Sequence, residues 1–154
     1  MKIIPILLMH LYCIQLFVCC KNNEIEQTNY TNNLSSTRTT KMKIAIGSAV
    51  FAATLYENPT TKELIAQLPF TLDMTELNGN EKYYDLPNAF PTNPKAGGNI
   101  KAGDLMLYEN NVLVLFYKDF NTSYHYTKLG YIDHPNGLAA ALASENVTVK
   151  FEKQ

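Results

Sequence analysis

Residues 103–132, GDLMLYENNVLVLFYKDFNTSYHYTKLGYI, decide how the rest of the chain is interpreted. Apolar and alternating runs predict three β-strands over 104–108, 112–117 and 124–132, with a tight turn at 109–111. The stretch contains five of the ten tyrosines and no arginine. We therefore expect consecutive antiparallel strands in a small barrel whose wall is rich in aromatic side chains.

Composition indicates one globular domain. The 154 residues are 46% hydrophobic and 18% charged, which is ordinary for such a domain. The formal net charge of −1 argues against a nucleic-acid-binding protein and against a basic surface for anionic lipid. Arg38 is the only arginine in the sequence.

The cysteines are confined to the N-terminus. Cys13, Cys19 and Cys20 all lie in the first twenty residues. The rest of the chain therefore has no disulfide, no thiol nucleophile and no cysteine metal site.

Residues 1–20 resemble a secretory signal peptide. A positive start at Lys2 is followed by an apolar run over 3–18, too short and too polar for a stable membrane span. Residues 16–20, LFVCC, are similar to a bacterial lipoprotein box, with Cys20 as the preferred lipidation site and Cys19 as the alternative. An ordinary signal peptide that ends in cysteines is the other interpretation. The expected location is the bacterial cell envelope, outside the cytoplasm, with a lipid anchor in the membrane.

The remaining sequence divides into a tether and a domain. Residues 21–41 are rich in Asn, Thr and Ser, have little to bury, and predict a flexible tether before a domain over 42–154. Strands are predicted at 42–46, 50–56, 70–75 and 147–151, and a helix after Asn58 that stops at Pro69. A second short helix is predicted over 135–143, capped by Asp133 or His134. Residues 77–100, rich in Pro, Gly and Asn, predict long ordered loops.

These elements predict a mainly β fold. Seven or eight antiparallel strands and two short helices, without a repeat or a βαβ pattern, favour a closed barrel capped by the helices.

Five motifs resemble the small bacterial cyclophilin-like domain family. They are YENPT (56–60), LNGNEKY (77–83), AGDLMLY (102–108), LFYK (115–118) and SYHYTKLG (123–130). The resemblance covers residues 42–152 and implies an eight-stranded β-barrel closed by two helices, related in shape to the peptidyl-prolyl isomerases. It implies no reaction, because the function of this family is poorly established.

The resemblance does not extend to the isomerase mechanism. True cyclophilins place an arginine beside the substrate proline, and this chain has neither a Phe-His-Arg motif nor any arginine after Arg38. Lysine lacks the rigid fork of donors that this role uses.

Motifs for other chemistry are weak. His125 is interpreted as an exposed strand residue rather than a catalytic base, and His134 as a turn or cap residue. Glu81, Asp85 and Asp104 could converge as carboxylates, but Asp104 after a glycine is more simply a turn residue. No phosphate loop or dinucleotide fingerprint occurs, so neither a cofactor nor a metal is expected.

A binding surface is the stronger hypothesis. Candidate ligand-binding residues combine polar groups from one loop and aromatics from the strands: Asn78, Asn80, Glu81, Lys82, Tyr83, Thr92, Phe116, Tyr124 and Tyr126. The alternative is that Phe116 and Tyr126 only pack the barrel and that Glu81 and Lys82 form a solvated surface pair.

The expected function is therefore binding of an unknown small molecule or peptide by a lipid-anchored domain, with catalysis not expected. A divergent prolyl isomerase that uses Tyr and Asn donors is the alternative, and a scaffolding partner of another envelope protein is a third hypothesis.

Overall fold

The computed structural model describes residues 39–154. The predicted signal peptide, both candidate lipidation cysteines and most of the predicted tether lie outside the described residues. The strands are β1 (Thr39–Ile46), β2 (Ala49–Tyr56), β3 (Phe70–Leu77), β4 (Glu81–Asp85), β5 (Lys95–Ile100), β6 (Asp104–Tyr108), β7 (Val112–Phe116), β8 (Phe120–Ile132) and β9 (Asn146–Lys153), and the helices are α1 (Pro59–Gln67) and α2 (Leu138–Ala141).

Eight of the described strands form a closed antiparallel barrel, as the sequence predicts. Their order around the barrel is β2-β1-β9-β3-β4-β7-β6-β8, and β8 pairs with β2 to close the ring. The ninth strand, β5, pairs with the first half of β8. The long strand β8 therefore belongs to the barrel wall at one end and extends the sheet beyond the barrel at the other.

Closure of the barrel depends on Gly130. It pairs with Leu55 of β2, and a Cβ atom at this position would collide with the carbonyl oxygen of Thr54 and lie 2.9 Å from the Leu55 Cα. Both neighbours are backbone atoms, which cannot turn away as a flexible side chain can. Only glycine lets β8 approach β2 this closely.

Alternating residues of the strands fill the barrel interior. Ile44, Leu55, Leu105, Leu115 and Phe151 are fully buried members of this main core. The period of two in each strand sends these side chains inward and their neighbours outward. The interior is therefore packed with side chains and does not form a channel.

Helix α1 follows the prediction. The Asn58 side chain accepts a hydrogen bond of 2.9 Å from the Thr61 N–H, and the Thr61 hydroxyl lies 3.1 Å from the Asn58 N–H. This reciprocal pair is a capping box. Leu64 is buried in the main core, and the helix ends at Gln67, with Leu68 as its C-cap residue before Pro69.

Helix α2 is shorter than predicted, and its predicted cap is wrong. It begins after Gly137, which has a φ of 83°, a left-handed conformation that does not continue a helix from Pro135. The Asp133 carboxylate instead accepts hydrogen bonds from the Thr54 hydroxyl and, at 2.8 Å, from Lys41. Asp133 therefore links β8 to β1 and β2.

The prediction of loops throughout residues 77–100 is also wrong. β4 is a wall strand paired with β3 and β7, although its sequence EKYYD lacks an apolar run. β5 has the sequence KAGGNI, which has low intrinsic strand preference. β5 forms because its backbone pairs with β8, and because Gly97 allows close contact with Thr122 and Tyr126.

Candidate functional site

A second apolar cluster lies on the outer surface of the barrel wall. Its buried members are Ile100, Met106, Val114, Phe116 and Tyr126. On β7, Leu113 and Leu115 belong to the main core while the alternate residues belong to this outer cluster. The wall is therefore covered by apolar side chains on both faces here, which is unusual for an antiparallel sheet whose outer face meets water.

A cavity of about 530 Å³ opens over the outer cluster, and we call it the outer groove. Residues from β3, β4, β6, β7 and β8 and from the turn after β3 line it. They are Leu77, Asn78, Asn80, Glu81, Tyr83, Asp85, Tyr108, Val112, Val114, Phe120, Asn121, Thr122, Tyr124 and Tyr126.

Aromatic rings form a connected row along the groove. Tyr108 contacts Tyr124 edge to face at 6.1 Å and Tyr126 at 5.6 Å between ring centroids. Phe116 continues the row, with centroids 5.5 Å from Tyr126 and 5.4 Å from Phe120. Two of these four contacts, Tyr108 with Tyr124 and Phe116 with Tyr126, are edge to face, a geometry that aromatic pairs favour. The wall of the groove therefore consists of rings packed against one another.

Glu81 is the buried carboxyl group of the outer groove. Its residue is only 7% exposed, and within residues 39–154 no hydrogen bond or ion pair reaches its carboxyl oxygens. Burial, with a smaller contribution from the charge of Glu76, raises the pKa of Glu81 to about 7. The same surroundings act on a neighbouring phenol: burial, and next the charge of Glu81, raises the pKa of Tyr126 to about 12.

Asn80 carries a buried polar atom without a partner. Its Oδ1 atom has no hydrogen-bond partner, and the residue lines the groove beside Glu81. Buried polar atoms are almost always paired in folded proteins. An unpaired amide oxygen next to a carboxyl group without a cationic partner therefore marks a place where a ligand would gain polar contacts.

Lys82 does not line the outer groove. It follows Glu81 on β4 and points to the opposite face, where it is 0% exposed. Its Nζ lies 2.7 Å from Glu76 Oε2 and also donates to the carbonyl oxygens of Ser144 and Glu145. The alternative interpretation of Glu81 and Lys82 as a solvated surface pair is wrong, because both residues are buried and strand alternation separates their side chains.

Glu76, the ion-pair partner of Lys82, accepts two further hydrogen bonds. The Tyr117 hydroxyl donates to Glu76 Oε2 at 2.8 Å, and the Gly79 N–H donates to Glu76 Oε1 at 2.7 Å. Burial alone would raise the pKa of Glu76, but the hydrogen bonds from Lys82, Tyr117 and Gly79 hold it below its ordinary value. Burial and the hydrogen bond to Glu76 raise the pKa of Tyr117 to about 12. This ion pair is therefore charged and internally satisfied.

The family relationship follows from the sequence comparison. The sequence model of the Cyclophilin-like family matches residues 44–152. The chain belongs to this family. The match runs from Ile44 in β1 to Glu152 in β9, so it includes part or all of each barrel strand and every residue that lines the outer groove.

A solved structure shows the same fold. The solution structure of a hypothetical protein from Archaeoglobus fulgidus is similar to this cyclophilin-like domain with a TM-score of 0.56 and 18% sequence identity, covering 75% of this chain and 95% of the archaeal chain. At this identity the similarity concerns the fold alone. A search among curated proteins gives no match.

The other predicted site residues fall into two groups. Asn78, Tyr83, Tyr124 and Tyr126 line the outer groove together with Asn80 and Glu81, and Phe116 lies beneath them in the outer cluster. Thr92 lies elsewhere, at two further cavities of about 460 and 550 Å³. The structure therefore brings six of the nine candidates to one cavity, places one below it, and leaves Lys82 and Thr92 outside.

Of the remaining chemical candidates, only Asp85 shares a cavity with Glu81. His125 and His134 are exposed, and Asp104 accepts a hydrogen bond from the Lys101 N–H at 2.9 Å, as a turn residue does. Asp85 does line the outer groove with Glu81. Among residues 39–154, no three His, Cys, Asp or Glu side chains converge as a metal site, and no helix is long and apolar enough to cross a membrane.

Sequence reasoning missed several residues of the groove. Tyr108, Val112, Val114, Phe120, Asn121 and Thr122 line it and were not among the candidates. A signal for them was present in the sequence, because β6 and β7 are apolar at nearly every position instead of every second one. Such runs indicate strands buried on both faces.

Proposed function

We propose that the outer groove of this cyclophilin-like domain binds a small ligand or a peptide segment. The observation that carries the proposal is the position of Asn80 and Glu81 at one cavity lined mainly by tyrosines and apolar side chains: Asn80 Oδ1 is buried without a hydrogen-bond partner, and Glu81 is a largely buried residue whose carboxyl group has no cationic partner in the described residues. A buried group without a hydrogen bond costs about 1–3 kcal/mol. A ligand that supplies the missing partner recovers that cost on binding.

The dimensions and chemistry of the groove support the proposal. Its volume of about 530 Å³ lies within the roughly 300–1,000 Å³ typical of ligand sites. Tyrosines and apolar side chains form most of the wall, and Asn78, Asn80 and Asn121 contribute amides at its edges. This combination of apolar area with a few directed polar groups is typical of small-molecule and peptide sites.

The experiment uses a bulky side chain to close the groove. Asn121 is exposed and lines the groove, so Asn121→Trp should fill it with little effect on folding. Asn88→Trp is the matched control, because Asn88 is exposed and lies outside the three cavities described. A fragment and peptide library is screened by ligand-observed NMR against the full chain and both variants.

Ligands of the groove should lose binding in Asn121→Trp and keep it in Asn88→Trp. If every ligand found binds both variants equally, the groove is not the binding site and the proposal is wrong. Two unfolding curves measured alongside show that both variants are folded.

The alternative hypothesis is a divergent prolyl isomerase. No arginine lines the outer groove, and an isomerase would have to use amide or tyrosine donors against the rotating peptide bond. We expect no catalysis above background in a proline-isomerisation assay. Turnover that is lost in Asn80→Ala or Tyr124→Phe would instead favour the isomerase.

We also propose that the chain is a lipoprotein of the bacterial cell envelope, anchored through Cys20. The support is the sequence alone, a signal-like segment that ends in LFVCC. Palmitate labelling in a bacterial host should be lost in Cys20→Ala and kept in Cys19→Ala. Label that survives Cys20→Ala would contradict Cys20 as the site.

A further inference from the structure

The charged residues at the outer groove are all acidic. Glu81 and Asp85 line it, and no lysine, arginine or histidine is among its lining residues in the described part of the chain. The lysine adjacent in sequence, Lys82, is turned away and is neutralised by Glu76. The groove therefore has two carboxyl groups and no counter-charge of its own.

Glu81 makes this imbalance important because the residue as a whole is only 7% exposed. A glutamate in such surroundings normally has an arginine, lysine or N–H partner, and Glu81 has none among residues 39–154. The side chains facing the same groove are phenols, amides and apolar groups, apart from Asp85. A cation that entered the groove would supply the partner that the protein lacks.

The aromatic wall suits the same kind of ligand. The ring of Tyr108 contacts the rings of Tyr124 and Tyr126 in the part of the cavity lined by β6 and β8. Tyr83 lies beside Glu81 on the groove face of β4. The negative faces of aromatic rings attract ammonium groups by about 0.5–2 kcal/mol, more when water is excluded. Rings combined with a carboxylate are the recognition elements of an amine receptor.

We infer that the outer groove is a receptor for an organic cation, in which Glu81 pairs with an ammonium group and the tyrosine rings enclose the carbon atoms beside it. A free amine and the side chain of a lysine in a peptide share this chemistry. The inference rests on the proposed function, since it specifies the ligand of the same groove. No arginine lines the groove, and its charged side chains are the two carboxyl groups of Glu81 and Asp85.

The protonation of Glu81 provides an independent readout. Because burial raises the pKa of Glu81 to about 7, a large fraction of the empty groove holds a neutral carboxylic acid near neutral pH. The other ionisable groups facing the groove are Asp85, Tyr83, Tyr108, Tyr124 and Tyr126. An ammonium favours the ionised carboxylate, so its binding at pH 7 should release protons, which calorimetry in buffers of different ionisation enthalpy detects.

The experiment compares three probes of one shape. Phenethylammonium, 2-phenylethanol and phenylacetate carry the same ring and linker with positive, neutral and negative ends. Each is titrated at millimolar concentration into the full chain while the tyrosine resonances are followed by NMR. We expect phenethylammonium to bind about tenfold or more tightly than 2-phenylethanol, and phenylacetate to bind most weakly.

Two variants distinguish the effect of the Glu81 charge on binding from the effect of the cavity shape. Glu81→Gln keeps the shape and should reduce the preference for the ammonium to less than about twofold, without weakening 2-phenylethanol. Glu57→Gln removes an exposed carboxylate outside the groove and should leave the preference unchanged. Retained binding of 2-phenylethanol also shows that the groove of Glu81→Gln is intact.

Equal binding of phenethylammonium and 2-phenylethanol in the unaltered chain would overturn the cation receptor and leave ligand binding by the groove in place. Binding of phenethylammonium that Glu81→Gln does not weaken would overturn it as well, and so would a failure of phenethylammonium to bind. The screen with Asn121→Trp tests the proposed function separately, because it does not depend on the charge of the ligand.

Discussion

Replacing Glu81 by glutamine should change how the stability of the barrel depends on pH. Glu81 is 7% exposed and has no hydrogen-bonding partner, and burial raises its pKa from the ordinary 4.5 to about 7. The folded chain therefore retains a proton at pH values where the unfolded chain has released it. A group of this kind stabilises the fold below its unfolded pKa, and that stability is lost as the pH rises towards the folded value.

The expected size follows from the two pKa values. Between 4.5 and about 7, at about 1.36 kcal/mol for each pKa unit, the free energy of unfolding falls by roughly 3 kcal/mol as Glu81 ionises. Part of this effect arises from repulsion by Glu76, which lies near enough to contribute to the raised pKa. Glutamine cannot ionise, so Glu81→Gln should match the unaltered chain in acid and exceed its stability by roughly 2–3 kcal/mol at about pH 8.

Urea unfolding at about pH 4.5, 6 and 8 measures this difference. Glu57→Gln serves as the control, because it removes an exposed carboxylate that does not line the groove. Comparing variants cancels the titration of the groups they share, including Asp104, whose pKa burial also raises. If the profiles of Glu81→Gln and the unaltered chain are parallel, Glu81 is not ionising in a buried site and the electrostatic argument for the groove is wrong.

Three further predictions concern the fold. Gly130→Ala should destabilise the barrel by about 2–3 kcal/mol or prevent its closure, because the added methyl group meets the Thr54 carbonyl oxygen; unchanged urea unfolding would contradict this. Glu76→Gln should cost more stability than Lys82→Met, roughly 3 against 2 kcal/mol, because it leaves the fully buried ammonium without its counter-charge; the reverse order in urea unfolding would refute the assignment. Asn58→Ala should cost about 1 kcal/mol in thermal or urea unfolding by removing the cap of α1, and no loss would show that the capping box is dispensable.

The sequence was sufficient to predict the barrel because most wall strands carry their own pattern. Alternating or continuous apolar residues identify β1, β2, β3 and β6 to β9, and Asn58 followed by Pro59 identifies the start of α1. These signals lie within each segment, so they can be recognised without knowing which strands pair with one another. The number of strands and the need to avoid exposed edges then favour closure.

β4 and β5 could not be predicted in the same way, because their partners determine them. β4 presents Glu81 and Lys82 where a wall strand normally has apolar residues. Lys82 is accommodated by Glu76 on the paired strand β3 and by the distant carbonyl of Ser144. Glu81 faces a groove that strands from later in the chain complete. β5 depends on β8 and on the close approach at Gly97. No local pattern contains these long-range contacts.

The same long-range contacts determine the chemistry of the groove. Strand alternation places Glu81 and Lys82 on opposite faces of β4, so two neighbours of opposite charge cannot neutralise each other. Lys82 is held on its face by Glu76 and by two carbonyl groups near the start of β9. These contacts, together with the pairing of Glu81 opposite Phe116, fix the register of β4. A shift of that register by one residue would turn the Glu81 carboxylate towards the barrel interior. It would also turn the Lys82 ammonium towards the tyrosines of the groove. The ion pair on one face of β4 therefore keeps the groove on the other face acidic.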